Sequence, residues 1–198
     1  MALHCFDRAS LPSTPWKNGG GITREIVCMP EGADLEHFDW RISIAEVASD
    51  GPFSSFQGID RVITLLEGAG MRLSSNDGNA NHLLVKLLEP WAFPGEMSIH
   101  STLFGNVCHD FNVMVRRQRY RTTVTPLRGL QALEPSFAGL LLACGGSVQA
   151  ELGDGRSFSL DQDQGVWWTD ELLHWQIKAS PGATLLGVAL HKVGHEQI

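Results

Sequence analysis

Hydrophobic and polar positions alternate along much of this chain with a period of two, the spacing of half-buried strands. Across residues 41–45, Ile42 and Ile44 share one face while Arg41 and Ser43 share the other. Across 110–116, Phe111, Val113 and Val115 face one way, and Asp110, Asn112, Met114 and Arg116 the other. A strand of this kind buries one face against apolar partners. Its polar face meets solvent or lines a wet cavity. Further strands are predicted over 22–29, 61–66, 70–74, 82–88, 140–144, 147–152, 165–169 and 185–191. Asp50-Gly51-Pro52, Asn76-Asp77-Gly78, Gly145-Gly146 and Asp154-Gly155 supply turns. Residues 137–142 show no helical stripe. The pattern predicts an all-β protein of sandwich or barrel type, with jelly-roll halves closing the sheet edges. Alternation lapses over 125–129, which divides the chain into an N-terminal half, 1–125, and a C-terminal half, 126–198. The second half repeats the rhythm of the first loosely.

Composition narrows the classes. The 21 glycines and 9 prolines among 198 residues suit many short strands better than long helices. A net charge of −7 offers no broad surface to a phosphate backbone, so nucleic acid is not an expected partner. Cys5, Cys28, Cys108 and Cys144 are scattered and form no Cys-x-x-Cys pair, which predicts buried thiols in a reducing compartment. No run approaches a membrane span, and the N-terminus, with His4, Asp7 and Arg8, lacks an apolar signal core. The expected location is cytoplasmic, without a membrane partner.

The densest chemistry lies in Pro15-Trp16-Lys17-Asn18-Gly19-Gly20-Gly21-Ile22-Thr23-Arg24-Glu25-Ile26. Three consecutive glycines belong where the backbone takes positive φ or approaches another group closely. They serve either a tight turn into a strand or a binding loop. Conventional catalytic devices are missing. No G-x-S-x-G elbow occurs, and Gly68-Ala69-Gly70 lacks the strand–helix setting of a dinucleotide loop. His109 and Asp110 fall on opposite strand faces. His4, His37, His82 and His100 are isolated, and His174 is a lone candidate in the second half. His191 and His195 have i, i+4 spacing at the terminus.

Residues 15–26 resemble the opening signature of the HutD/Ves family of small bacterial bicupins, and three further blocks extend the likeness. They are Trp40-Arg41-Ile42-Ser43-Ile44-Ala45 with Asp50-Gly51-Pro52-Phe53-Ser54-Ser55-Phe56 and Gly58-Ile59-Asp60-Arg61; Leu65-Leu66-Glu67-Gly68-Ala69-Gly70; and Asp110-Phe111-Asn112-Val113-Met114-Val115-Arg116-Arg117. The segment the family writes Pro-Phe-x-Phe-x-Gly reads Pro90-Trp91-Ala92-Phe93-Pro94-Gly95 here. The resemblance implies two RmlC-like jelly-roll cupin barrels in one compact chain, with a polar cavity. It also implies a link to histidine utilisation, through a protein proposed to limit that pathway by binding an intermediate such as formiminoglutamate or urocanate. The Ves branch is linked instead to cold and stress responses. Cupins commonly hold a metal on a glycine, His-x-His, Glu, glycine pattern. With Gly51 and Gly70 on the glycine positions, the ligand positions fall on Gln57, Ile59 and Ile63. Isoleucine cannot coordinate and Gln is a poor transition-metal ligand, so neither a metal nor any other cofactor is expected.

The chemistry of the motif residues agrees with a small carboxylated ligand. Arg24, Arg41 and Arg61 offer guanidinium forks, flanked by Glu25, Ser43 and Asp60. Asn18, Thr23 and Asn112 can read neutral polar groups, Trp16 and Lys17 border the loop, and the amides around Gly19 and Gly20 can form an anion nest. The alternative for Arg24 and Arg61 is an internal ion pair with Glu25 or Asp60. The leading expectation is a metal-free, small-molecule-binding regulator rather than an enzyme. The runner-up is a metal-independent isomerase or hydrolase acting on a carboxylated or amidine metabolite, with Glu25 or Asp110 as general base. A protein-interaction module, with jelly-roll sheets pairing into a homodimer, is the third reading.

Overall fold

The computed structural model describes residues 3–194 and is all-β apart from one short 3-10 turn. The chain divides into two compact units, Pro12–Arg119, and Met1–Leu11 with Tyr120–Ile198. Each is a pair of antiparallel sheets.

In the first unit the strands are β2 (Ser13–Pro15), β3 (Gly21–Met29), β4 (Trp40–Val47), β5 (Gly51–Pro52), β6 (Ile59–Glu67), β7 (Met71–Ser75), β8 (Asn81–Leu84), β9 (Pro90–Pro94), β10 (Ile99–Leu103) and β11 (Cys108–Arg116). They form a six-stranded sheet, β2-β3-β4-β11-β6-β9, and a four-stranded sheet, β5-β10-β7-β8. The outer strands of the larger sheet carry prolines, Pro15 in β2 and Pro90 and Pro94 in β9. Val47, Ile63, Leu65 and Phe93 from the larger sheet meet Met71, Leu73, Leu84 and Ile99 from the smaller one in an apolar cluster.

The second unit contains β1 (Leu3–Asp7), β12 (Tyr120–Leu127), β13 (Leu130–Ala132), β14 (Ala138–Ala143), β15 (Val148–Leu152), β16 (Ser157–Leu160), β17 (Gln164–Trp168), β18 (Trp175–Ala179) and β19 (Leu185–Lys192). Its sheets run β1-β17-β14-β19-β12 and β13-β18-β15-β16. The side chains clustered between them are apolar, from Leu141 and Val166 to Val148 and Ile177, with Trp168 and Trp175 inside. Each buried indole removes roughly 150–250 Å² from water, worth about 4–6 kcal/mol before entropic costs.

The division expected at 125/126 falls inside β12, which alternates half-buried and exposed positions straight through Pro126. The break between units lies at Arg119 and Tyr120 instead. The N-terminal strand belongs to the second unit, because Leu3 pairs with Trp168 and Asp7 with Gln164. Asp7 then caps the 3-10 turn Arg8–Ser10 by accepting from the Ala9 amide at 2.9 Å. His191 is a residue of β19 rather than a helix, and His195 lies outside the described residues.

Candidate functional site

Strand register decides which motif residues share a face. On β11, Asp110, Asn112 and Met114 stand opposite Ala45, Ser43 and Arg41 of β4, and opposite Leu65, Ile63 and Arg61 of β6. On β3, Thr23 and Glu25 stand opposite Ala45 and Ser43. All point to the interior-facing side of the six-stranded sheet, since Ile63, Leu65 and Met114 enter the unit's apolar clusters. The interior is therefore layered. One end is the cluster around Ile63, Leu65 and Cys108, and the other is formed by Phe38, Ile59 and Met114. Between them runs a polar row: Glu25, Arg41, Ser43, Asn112, Asp110 and Arg61. Two apolar ends leave this middle layer little access to water, so its hydrogen bonds must be made internally or to a ligand.

The row starts near solvent, where the Arg41 Nε donates to Glu25 Oε2 at 2.6 Å and its Nη1 to Ser43 Oγ at 3.3 Å. The Glu25 side chain is 46% exposed and that of Arg41 is 12%. Deeper in, the Arg61 Nη2 donates to Asn112 Oδ1 at 2.9 Å, and the Asn112 amide donates in turn to Asp110 Oδ1. The Arg61 Nη1 donates to the Ser54 carbonyl at 3.3 Å. The Arg61 guanidinium also lies 5.1–5.8 Å from the ring centres of Phe53, Phe56 and Phe93, within cation–π range. Within this polar row, Arg61 Nε and Asp110 Oδ2 are buried without a partner.

Burial dominates the electrostatics. Asp110, 1% exposed, has its carboxyl pushed up to about 7, against the opposing pull of Arg61 and the Asn112 hydrogen bond. Arg61 is drawn down to about 10 by burial and by neighbouring Arg41, offset by Asp110, and stays charged at neutral pH. With Asp110 protonated, the row holds two guanidiniums against the single carboxylate of Glu25. That surplus of positive charge suits an anion.

The glycine-rich segment is a hairpin. The Trp16 amide donates to the Gly21 carbonyl at 2.9 Å, the Gly19 amide to the Trp16 carbonyl at 3.0 Å, and the Gly20 amide to Asn18 Oδ1 at 3.1 Å. Gly19 takes φ +72°, and a Cβ on Gly21 would lie 2.2 Å from the Glu46 carbonyl oxygen and 3.1 Å from the Trp16 ring. A Cβ on Gly20 would lie 2.9 Å from Ser49 Oγ, and its carbonyl accepts from the Ala48 amide at 2.9 Å. Each glycine thus has a structural reason that involves no ligand. The Trp16 indole donates to Thr23 Oγ1 at 2.8 Å, on the face of β3 that also carries Glu25. Lys17 and Asn18 stand exposed. Arg24 pairs with Ile44 and so lies on the opposite face of β3 from Thr23 and Glu25. Glu25 pairs across strands with Arg41, and Asp60 with Arg117.

Sequence reasoning assigned no role to Phe53, Phe56 and Phe93, although the first two sit in a quoted motif and Phe93 in the proline-rich one. No local signal linked them to Arg61, because Phe93 comes from β9 and the other two from the loop before β6. His109 faces Glu46 and Glu67, at 3.4 and 3.1 Å, away from Asp110. A cupin metal does not fit this chain. Ile59 and Ile63 are buried in apolar clusters, and Gln57 is exposed in a turn. Among the described residues no group of three His, Cys, Asp or Glu could hold an ion. His174, in the second unit, is exposed. Among the described residues, no helix is long and apolar enough to cross a membrane.

The HutD family model matches residues 8–186. An uncharacterized 21.2 kDa protein in the hutC 3′ region of Pseudomonas putida is 41% identical over 131 residues, 66% of this chain and 67% of the relative. Protein Ves of Escherichia fergusonii is 38% identical over 169 residues, 85% of this chain and 84% of its own. The solved structure of HutD from Pseudomonas fluorescens SBW25 superposes with TM-score 0.83 at 31% identity, covering 98% of this chain and all of that one. A cupin 2 barrel protein of Leptotrichia buccalis, 9% identical, with 96% of each chain covered and TM-score 0.61, shares the fold alone. Motif blocks, two-sheet units and these matches agree: the chain belongs to the HutD family and has a cupin fold.

Proposed function

We propose that the chain is a metal-free small-molecule-binding bicupin. It regulates histidine utilisation by binding a carboxylated intermediate, of the formiminoglutamate or urocanate class, in the polar row of the first unit. The observation that carries this is the inner end of the row: a buried guanidinium and a buried carboxyl, each with an unpartnered atom. The family's naming and the neighbourhood of its Pseudomonas putida relative support the histidine link. The test is calorimetry with formiminoglutamate and urocanate on the wild type, Arg41→Ala and Arg61→Ala. Each arginine contributes about 1.5–3 kcal/mol to binding, the range for charge-assisted hydrogen bonds. Equal affinity in all three proteins, with the fold intact by circular dichroism, overturns the assignment.

A metal-independent enzyme is the second reading, favoured by one observation. Burial pushes the Asp110 carboxyl up to about 7, a range that suits a general base at neutral pH. Incubating each binder with the protein and analysing for product separates the two, because turnover replaces the regulator with an enzyme.

A further inference from the structure

We propose that Asp110 determines specificity for the ligand's anionic end by receiving it as a carboxylic acid, so that binding takes up a proton. The inference rests on the binding reading above and adds the protonation state and polarity of the group that is bound.

The two orphan atoms terminate one hydrogen-bonded chain, Arg61–Asn112–Asp110. Arg61 Nε is a donor only, so the group that satisfies it must be an acceptor. A carboxylate fits that requirement, and the cationic end of a metabolite does not. An ionised Asp110 beside that incoming carboxylate would place two anions in a layer closed by apolar side chains, the arrangement in which one carboxyl of a pair is forced to keep its proton. Protonated, Asp110 Oδ2 becomes a donor, and the same ligand carboxylate can accept from it. The other groups facing Asp110 do not change this. Arg61 on β6 and Arg41 on β4 are cationic, Glu25 on β3 is engaged by Arg41, and Cys108 on its own strand is a thiol that burial pushes up. The four-stranded sheet contributes apolar side chains to this interior, Met71 and Leu73 among them.

Burial has already raised the free carboxyl to about 7, so Asp110 is about half protonated at neutral pH before any ligand arrives. Completing the protonation draws a proton from solvent: ligand carboxylate, Asp110 carboxylate and H⁺ become one hydrogen-bonded acid–carboxylate pair. Uptake is roughly 0.9 proton at pH 8 and 0.1 at pH 6, and the dissociation constant rises about tenfold between them.

The probe is formiminoglutamate, whose carboxylates and amidinium do not titrate near neutrality. Titration calorimetry at pH 6 and pH 8, in buffers of different ionisation enthalpy, reads the affinity and the proton count in the wild type, with no variant required. The expected result is uptake at pH 8 and affinity about tenfold weaker than at pH 6. In Asp110→Asn the amide donates at every pH, so the tenfold ratio collapses to about one and uptake disappears. Proton release on binding would mean that the amidinium sits against an ionised Asp110, and overturns the inference. Affinity independent of pH in the wild type also overturns it, while leaving the binding reading in place. No binding at either pH removes the binding reading, and this inference with it.

Discussion

Replacing Asp110 with Asn should stabilise the ligand-free protein, and by more at high pH than at low pH. The carboxyl moves from its ordinary 3.8 to about 7 in the folded chain because burial penalises the anion. The folded state therefore holds its proton over a range where the unfolded chain has released it. By linkage, stability falls as pH rises from the unfolded value through the folded one, and the penalty is complete above it. About three pH units at 1.36 kcal/mol each give a full penalty of roughly 4 kcal/mol. At pH 5 about 1.5 kcal/mol has developed and at pH 8 nearly all of it. An Asn side chain has no ionisation to suppress, and any packing cost of its amide is the same at both pH values. The stability difference between variant and wild type should thus grow by about 2–3 kcal/mol from pH 5 to pH 8. Denaturant titrations of both proteins at the two pH values measure it. If the units melt in separate transitions, the shift belongs to that of Pro12–Arg119. A difference that stays constant, or shrinks with pH, would mean that Asp110 ionises freely in the folded chain and that the layer is wetter than its burial implies.

Other expectations are simpler. Gly21→Ala should cost several kcal/mol of stability, because its Cβ would lie 2.2 Å from the rigid Glu46 carbonyl, whereas Gly19→Ala, with φ +72° and open space around it, should cost about 1–2 kcal/mol. Calorimetric melting checks both, and similar losses at the two positions would contradict the hairpin geometry. Trp16→Phe removes the donor to Thr23 and should cost about 1 kcal/mol while leaving the hairpin formed, as judged by amide exchange. The His82 ring stacks on Trp91 at 4.4 Å, and burial lowers its titration below the ordinary 6.5. Trp91 fluorescence, isolated by difference against Trp91→Phe, should change with a midpoint below that value, and a midpoint above it would refute the assignment.

Much of the fold was legible because the central strands alternate strongly. Residues 61–66 and 110–116 sit within observed strands extended by two or three residues: Phe111, Val113 and Val115 give the second an apolar face, and Val62, Ile63, Leu65 and Leu66 make the first strongly aliphatic. The strands that escaped notice carry weaker patterns. β12 presents Arg121, Thr123 and Thr125 outward from a sheet edge, and β9 begins and ends in proline. β1 could not be assigned to its unit from sequence, since its partner β17 lies more than 150 residues further along the chain. Within the candidate site, period two placed Asp110 with Asn112 and Arg41 with Ser43. In the glycine segment the density of polar residues around the turn suggested a binding loop. The structure shows a hairpin there, with Arg24 on the opposite face of β3 from Thr23 and Glu25, neither of which is legible in the composition of the segment. Which arginine is buried could not be read locally, because Arg61 owes its environment to Phe53 and Phe93, brought in by other segments of the chain.

The prolines in β2 and β9 have a consequence for behaviour at high concentration. A proline contributes no N–H to a ladder, so both rims of the six-stranded sheet present interrupted rows of donors. An extended chain laid against either rim would find its hydrogen bonds broken at Pro15 on one side and at Pro90 and Pro94 on the other. At β2 and β9 the sheet that carries the polar row is thereby guarded against strand addition, the route by which exposed β edges nucleate fibrous aggregates.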